Sequence, residues 1–185
     1  MSQAFVALGG NIEGPASRLL AVMREFDSLP HTRLLRASSL YRTAPVGYAD
    51  QPDFINAVVL LETTLSPDAL MTELQALETR HGRVRRLRNG PRTLDLDLLL
   101  YDSVALHDSP ALIVPHPRLH LRSFVLAPLV EIEPECVLPG HGRAAAILER
   151  MADRSDIRRI EFPGLYDGLQ ALRTLGQGSM PHACI

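Results

Sequence analysis

Apolar residues fall in short runs along the first half of the chain, and the spacing within each run predicts its structure. Residues 4–8 are unbroken apolar and stop at Gly9-Gly10-Asn11, a strand entering a turn. Over residues 15–29 the apolar positions Leu19, Val22, Met23 and Phe26 recur at helical spacing. Residues 33–41 read as a second strand and 54–63 as a third, more buried one, in which Ile55, Val58, Val59, Leu60 and Leu61 leave little room for polar alternation. Residues 43–53, with Pro45, Gly47 and Pro52, form the loop between them.

Ser66-Pro67 opens a helix with a capping side chain and a proline whose missing N–H costs nothing there; Leu70, Leu74 and Leu77 then make one apolar stripe, and Gly82 ends it. An arginine-rich segment leads to a strand at 93–101, a stretch broken by Pro110, Pro115 and Pro117, and a helix at 123–131. The order βαββαβ predicts an α+β protein with a ferredoxin-like core, its sheet antiparallel and its helices on one face. C-terminal additions follow, a helix at 144–151 and an edge strand at 157–162. Residues 1–164 are expected to form one domain, and 165–185, rich in small and polar residues towards the end, a mobile tail.

Composition narrows the chemistry. A formal charge of -2 over 185 residues argues against a protein that wraps nucleic acid, which needs a basic surface. Two cysteines, Cys136 and Cys184, are too few for a disulfide framework and fit a reduced cytoplasmic protein. The amino terminus lacks the basic region of an export signal, and no apolar run reaches membrane-spanning length. All 19 basic residues are arginine. Without lysine there is no Walker A loop, no kinase strand lysine and no Schiff base, because each needs an amine that a guanidinium cannot imitate.

The segment Arg88-Asn89-Gly90-Pro91-Arg92-Thr93-Leu94-Asp95-Leu96-Asp97-Leu98-Leu99 concentrates the remaining chemistry. Alternate residues of a strand share a face, so Thr93, Asp95 and Asp97 are expected on one side and Leu94, Leu96 and Leu98 in a core on the other. Two aspartates whose Cα atoms stand roughly 6.5 to 7 Å apart along a strand can both reach a magnesium pair about 3.5 to 4 Å across. An isolated Asp-x-Asp is more often a solvated strand face, but aspartate is disfavoured in strands and here Arg80, Arg83, Arg85, Arg86, Arg88 and Arg92 precede it. Guanidinium forks match phosphate oxygens and the charge that develops on a transferring phosphoryl group. Gly82 and Gly90 flank the arginines as hinges for a lid. Two other uses of these residues stay open at this level: an RNA-binding sheet with Phe54 and Phe124 as stacking platforms, and a metal-dependent phosphohydrolase.

Residues 90–99, Gly-Pro-Arg-Thr-Leu-Asp-Leu-Asp-Leu-Leu, resemble the signature of the hydroxymethyldihydropterin pyrophosphokinases. Further similar pieces come in the family's order: Ala7-Leu8-Gly9-Gly10-Asn11, Ser39-Leu40-Tyr41-Arg42-Thr43-Ala44-Pro45, Gln51-Pro52-Asp53-Phe54-Ile55-Asn56-Ala57, Gly82-Arg83-Val84-Arg85 and Val114-Pro115-His116-Pro117. The resemblance implies transfer of diphosphate from ATP to a hydroxymethyl pterin, giving AMP, in folate biosynthesis. By the same resemblance Asp95 and Asp97 bind two magnesium ions, and Arg83 and Arg92 act on the phosphates. Gln75, Glu78, Arg85, Leu98, His116 and Arg122 surround ATP. Phe54 and Phe124 sandwich the pterin, Asn56 bonds its polar edge, and Thr43, Pro45 and Val46 offer it backbone groups. Gly10 stands where the family often has serine, Ala44 where it has proline, Asn89 where some members have tryptophan, and Pro117 where an aromatic can occur. The implied partners are ATP and the pterin alone, with no nucleic acid or membrane, and a cytoplasmic monomer is expected.

Overall fold

The computed structural model describes residues 1–45, 47, 49–83, 90–102, 105–109, 112–151 and 157–161. The first strand, β1, is Ser2–Gly10 and pairs antiparallel on both sides, with β4 (Phe54–Thr63) and with β5 (Asp95–Tyr101). The strand expected at 33–41 is two strands, β2 (Thr32–Ala37) and β3 (Leu40–Thr43), which pair in turn with the two halves of β4. Ser38 explains how the split is tolerated. Its N–H donates to the Val58 carbonyl at 2.9 Å, and its Oγ accepts from the Val58 N–H at 2.9 Å, so the ladder is satisfied across the break. Counting β2 and β3 as one, the order β3-β4-β1-β5 is that of a ferredoxin-like sheet. β10 (Arg158–Ile160) extends the β3 edge, as its sequence predicted.

Helix α1 (Pro15–Glu25) and helix α2 (Pro67–Arg80) cover one face. Ala4, Val6, Leu8, Val59, Leu61, Leu96 and Leu98 of the sheet pack there with Leu19, Met23, Phe26, Leu70, Leu74 and Leu77. The helices are not confined to that face. Helix α3 (Ser123–Ile132) and helix α4 (Ala144–Arg150) cover the other, where Phe5, Val58, Leu60, Leu99 and Leu100 meet Val125, Leu126, Leu129 and Ile132. Continuous burial of β4 has this cause: both its faces are covered, so neither shows polar alternation over the central residues. Two short hairpins escape sequence analysis, β6 (Leu106–Ser109) with β7 (Leu112–Val114), and β8 (Val137–Leu138) with β9 (Gly142–Arg143). Their strands are too short for periodicity to register.

Ser66 caps α2, its Oγ accepting from the Ala69 N–H at 3.3 Å, and Pro67 follows at the first helical position. At the other end Gly82 adopts φ 75°, and the Arg83 N–H donates back to the Glu78 carbonyl at 3.0 Å. This left-handed closure turns the chain so that Arg83 returns along the helix it has just left. Among the described residues no helix is long and apolar enough to cross a membrane. The lid segment 84–89, including Arg85, the position of Val46 and the expected tail at 165–185 lie outside the described residues.

Candidate active site

Strand register brings the chemistry together. Asp97 lies opposite Ala7, which lies opposite Val58; Asp95 lies opposite Gly9, then Asn56, then Tyr41; Phe54 lies opposite Thr43. Residues at such positions share a face, and this is the face covered by α3. Towards one end it is apolar and packed beneath the helix. Towards the other, where α3 begins, it opens into a cavity of about 470 Å³ lined by Phe54, Asn56, Asp95, Asp97, Arg92, Arg122 and Phe124 among others. An extra residue in β5 helps set this arrangement: Leu98 pairs with Val6 but Leu100 with Phe5, so Leu99 is a bulge. Before it the even-numbered leucines face α1 and α2 and the aspartates face the cavity; after it Leu100 joins the α3 side.

Each carboxylate is held by cations. Asp95 pairs with Arg83 at 2.5 Å and, through its other oxygen, with Arg92 at 2.5 Å. Asp97 pairs with Arg122 at 3.2 Å, and His116 Nε2 lies 3.9 Å from the same oxygen. The Arg118 N–H donates to His116 Nδ1 at 3.1 Å, so Nδ1 is the acceptor and the ring proton sits on Nε2, towards Asp97. Burial holds the His116 imidazole below its ordinary pKa, against the pull of Asp97. Arg92 lies 5.5 Å from the centroid of the Phe54 ring and Arg122 5.8 Å from that of Phe124, so each arginine spans a carboxylate and an aromatic face.

Glu78 is buried, accepts the Leu96 N–H at 2.6 Å and pairs with Arg83. Burial raises its pKa, opposed by that N–H and by Arg83. It ties the end of α2 to the start of β5 and aims Arg83 at Asp95. Gln75 is exposed on α2, and neither it nor Glu78 nor His116 is among the described cavity walls. Leu98 is 2% exposed with its side chain in the α1/α2 core, so a nucleotide could meet only the backbone there. Thr43 lines the cavity and its Oγ1 accepts from Asn56 Nδ2 at 2.8 Å, while Ala44 and Gly47 line it in place of Pro45. Thr93 does not join the aspartates: β5 begins after it, and its Oγ1 is buried with no partner among the described residues. Sequence reading missed Arg118 and Leu121 at the cavity wall. Leu121, 63% exposed, stands out only once the fold is known.

A model of the family 7,8-dihydro-6-hydroxymethylpterin-pyrophosphokinase (HPPK) matches residues 5–134. The chain belongs to this family. It is 42% identical over 158 residues to a 2-amino-4-hydroxy-6-hydroxymethyldihydropteridine pyrophosphokinase of Haemophilus influenzae, covering 85% of this chain and 98% of the relative. A protein of the same name from Pseudomonas aeruginosa is 48% identical over 139 residues, covering 75% and 85%. The fold resembles that of an HPPK-DHPS crystallised with substrates, with TM-score 0.65 at 12% identity, over 87% of this chain and 47% of the other. The chain thus spans about half of that solved chain, and the likeness concerns fold alone. Membership of the HPPK family gives the chain an ATP-dependent diphosphotransferase activity on a pterin, and the RNA-binding and phosphohydrolase readings fall away.

Proposed function

We propose that this HPPK family member binds ATP and 6-hydroxymethyl-7,8-dihydropterin together in the one cavity. The pterin hydroxymethyl oxygen attacks the β-phosphorus, the bond from that phosphorus to the oxygen bridging to the α-phosphate breaks, and AMP leaves. The hydroxyl proton is released, and the diphosphate ends on the pterin. One observation carries the reading: an aromatic and amide pocket and a pair of cation-held carboxylates share one face of one sheet. Phe54 and Phe124 supply flat apolar walls for a heteroaromatic ring, and Asn56, oriented by Thr43, supplies an amide able to pair with its edge. Thr43, Pro45 and Val46 belong to the segment that offers it backbone groups.

Magnesium takes one or two carboxylates and completes its shell from phosphate and water. Asp95 and Asp97 fit that requirement: they are 19% and 32% exposed, alternate on one strand and face the cavity. Among the described residues no cluster of three or more His, Cys, Asp or Glu is gathered as an all-protein metal cage would need. Asp95 and Asp97 would therefore hold two magnesium ions in company with the nucleotide, where the metal supplies neutralisation of phosphate charge. Arg83, Arg92 and Arg122, released from the carboxylates, take up phosphate oxygens, and the family resemblance assigns Arg85, Gln75 and His116 to the nucleotide as well. The rest of the catalysis is positioning of the acceptor oxygen in line with the phosphorus.

The nucleotide product tests this directly. A mixture of protein, magnesium, ATP and the hydroxymethyl pterin should yield AMP and pterin diphosphate in equal amounts by chromatography. ADP as the principal nucleotide, or AMP formed equally well without pterin, overturns the reading. Within the pocket, Phe54→Ala and Asn56→Ala should each weaken pterin binding by about 1 to 3 kcal/mol, the worth of an aromatic stack or of a buried amide left unpaired. Nucleotide affinity should change little. Titration of both variants with pterin checks this, and two unchanged dissociation constants would remove the pocket.

A further inference from the structure

Asn11 is 3% exposed, and it sits at the end of β1 with its hydrogen-bonding capacity spent on two other segments. Its backbone N–H donates to the Arg92 carbonyl at 3.0 Å, and its Oδ1 accepts from the Arg92 N–H at 2.9 Å. Its Nδ2 donates to Gln51 Oε1 and to the Pro52 carbonyl, both at 3.0 Å. The amide orientation follows from chemistry: the Arg92 N–H can only donate and the Pro52 carbonyl can only accept, so a flipped amide would mismatch both. Gly10 makes the approach possible. A Cβ there would stand 2.6 Å from the Thr93 carbonyl oxygen, so any side chain would push the 92–93 backbone away.

The two segments have different tasks. Pro52 is two residues before Phe54, at the acceptor pocket; Arg92 pairs with Asp95 on the phosphate side. We infer that Asn11 is a positioning residue that ties the acceptor loop to the phosphate-binding arginine, so that ordering one substrate site orders the other. The inference rests on the two-substrate reading above. Coupling through such a tie is reciprocal: nucleotide tightens pterin binding by the same factor as pterin tightens nucleotide binding. The asparagine amide, with one acceptor and two donors, satisfies both loops. Alanine keeps only the backbone N–H bond to the Arg92 carbonyl and loses every side-chain link, and aspartate can still accept from the Arg92 N–H but turns a carboxylate towards the Pro52 carbonyl, which has no proton to give it.

The test is titration of the full chain with the hydroxymethyl pterin, with and without magnesium and a nonhydrolysable ATP analogue, in wild type, Asn11→Ala and Asn11→Asp, with thermal melting as the control for fold. Wild type should show coupling in the range of about 5- to 150-fold. Both variants should reduce it to about two-fold or less, with pterin binding in the absence of nucleotide changed much less. Should the Asn11 variants fail to fold, Gln51→Ala removes one arm of the tie and should lower the coupling on its own. A wild type without coupling, or coupling retained in a folded Asn11→Ala or in Gln51→Ala, overturns the inference. A wild type that binds no pterin under either condition overturns the two-substrate reading instead.

Discussion

Asp95→Ala and Asp97→Ala should each lower turnover by about a thousand-fold or more at saturating substrates, since a metal-binding carboxylate supports several kcal/mol of charge stabilisation and each 1.36 kcal/mol is tenfold in rate. Stability should fall by only about 1 kcal/mol for Asp97→Ala and about 2 kcal/mol for Asp95→Ala, which loses two ion pairs. Both side chains stand on the open part of the sheet, so alanine removes no core volume, and their leucine neighbours on the other face are untouched. Their partial exposure keeps the lost ion pairs with Arg83, Arg92 and Arg122 to about 1 kcal/mol apiece, and Arg83 still has Glu78. Single-turnover rates measured across a magnesium titration, beside thermal melting, separate the two effects. A variant that keeps near wild-type turnover at high magnesium would remove that carboxylate from the metal assignment.

Arg92→Ala should lower kcat by about a hundred- to a thousand-fold, the usual cost of losing one preorganised donor aimed at developing charge. Because Arg92 also lies over the Phe54 ring, pterin affinity should fall too, but by only a few-fold. Arg92→Lys should not restore the rate, since an ammonium cannot make the two-point contact of a guanidinium fork. Arg83→Ala should follow the same pattern, with an additional feature: Glu78 would be left buried without its partner, and melting temperature should drop as well. Kinetics that change KM for the pterin and leave kcat intact would place Arg92 in the acceptor pocket alone.

What the sequence could disclose depended on the range of the interaction. Alternation over 94–98 announces that Asp95 and Asp97 share a face, because two residues along a strand are always on the same side, whatever the rest of the chain does. Ser66-Pro67 and Gly82 likewise mark α2 through rules confined to one turn. Family resemblance, not periodicity, named Phe54, Asn56 and Phe124 as one pocket, and the structure places all three on one cavity. The two helices of the βαββαβ core, α1 and α2, lie on one face as expected, whereas α3 and α4, which follow the core, cover the other, and their apolar residues give no hint of which sheet surface they will choose. Thr93 was assigned to the aspartate face by extending the strand too far, and β5 starts two residues later. Asn11 was legible only as part of a turn, since its partners are 40, 41 and 81 residues away.

The strand register described for the site has a further consequence, for what the site must leave out. Directly across from Asp95 and Asp97 the chain places Gly9 and Ala7, and Ala57 lines the same hollow. A Cβ on Gly9 would come within 3.3 Å of Asn56 Oδ1. The hollow is thus a mould whose depth is cut by missing atoms at Gly9 and Ala7, whereas the Ala57 side chain packs in the α1/α2 core; methyl groups added at Gly9 and Ala7 would make the hollow shallower while every charged and aromatic group stayed where it is. Small residues in the middle strand therefore constrain this chain as tightly as its aspartates do, for a reason that belongs to shape and not to reactivity.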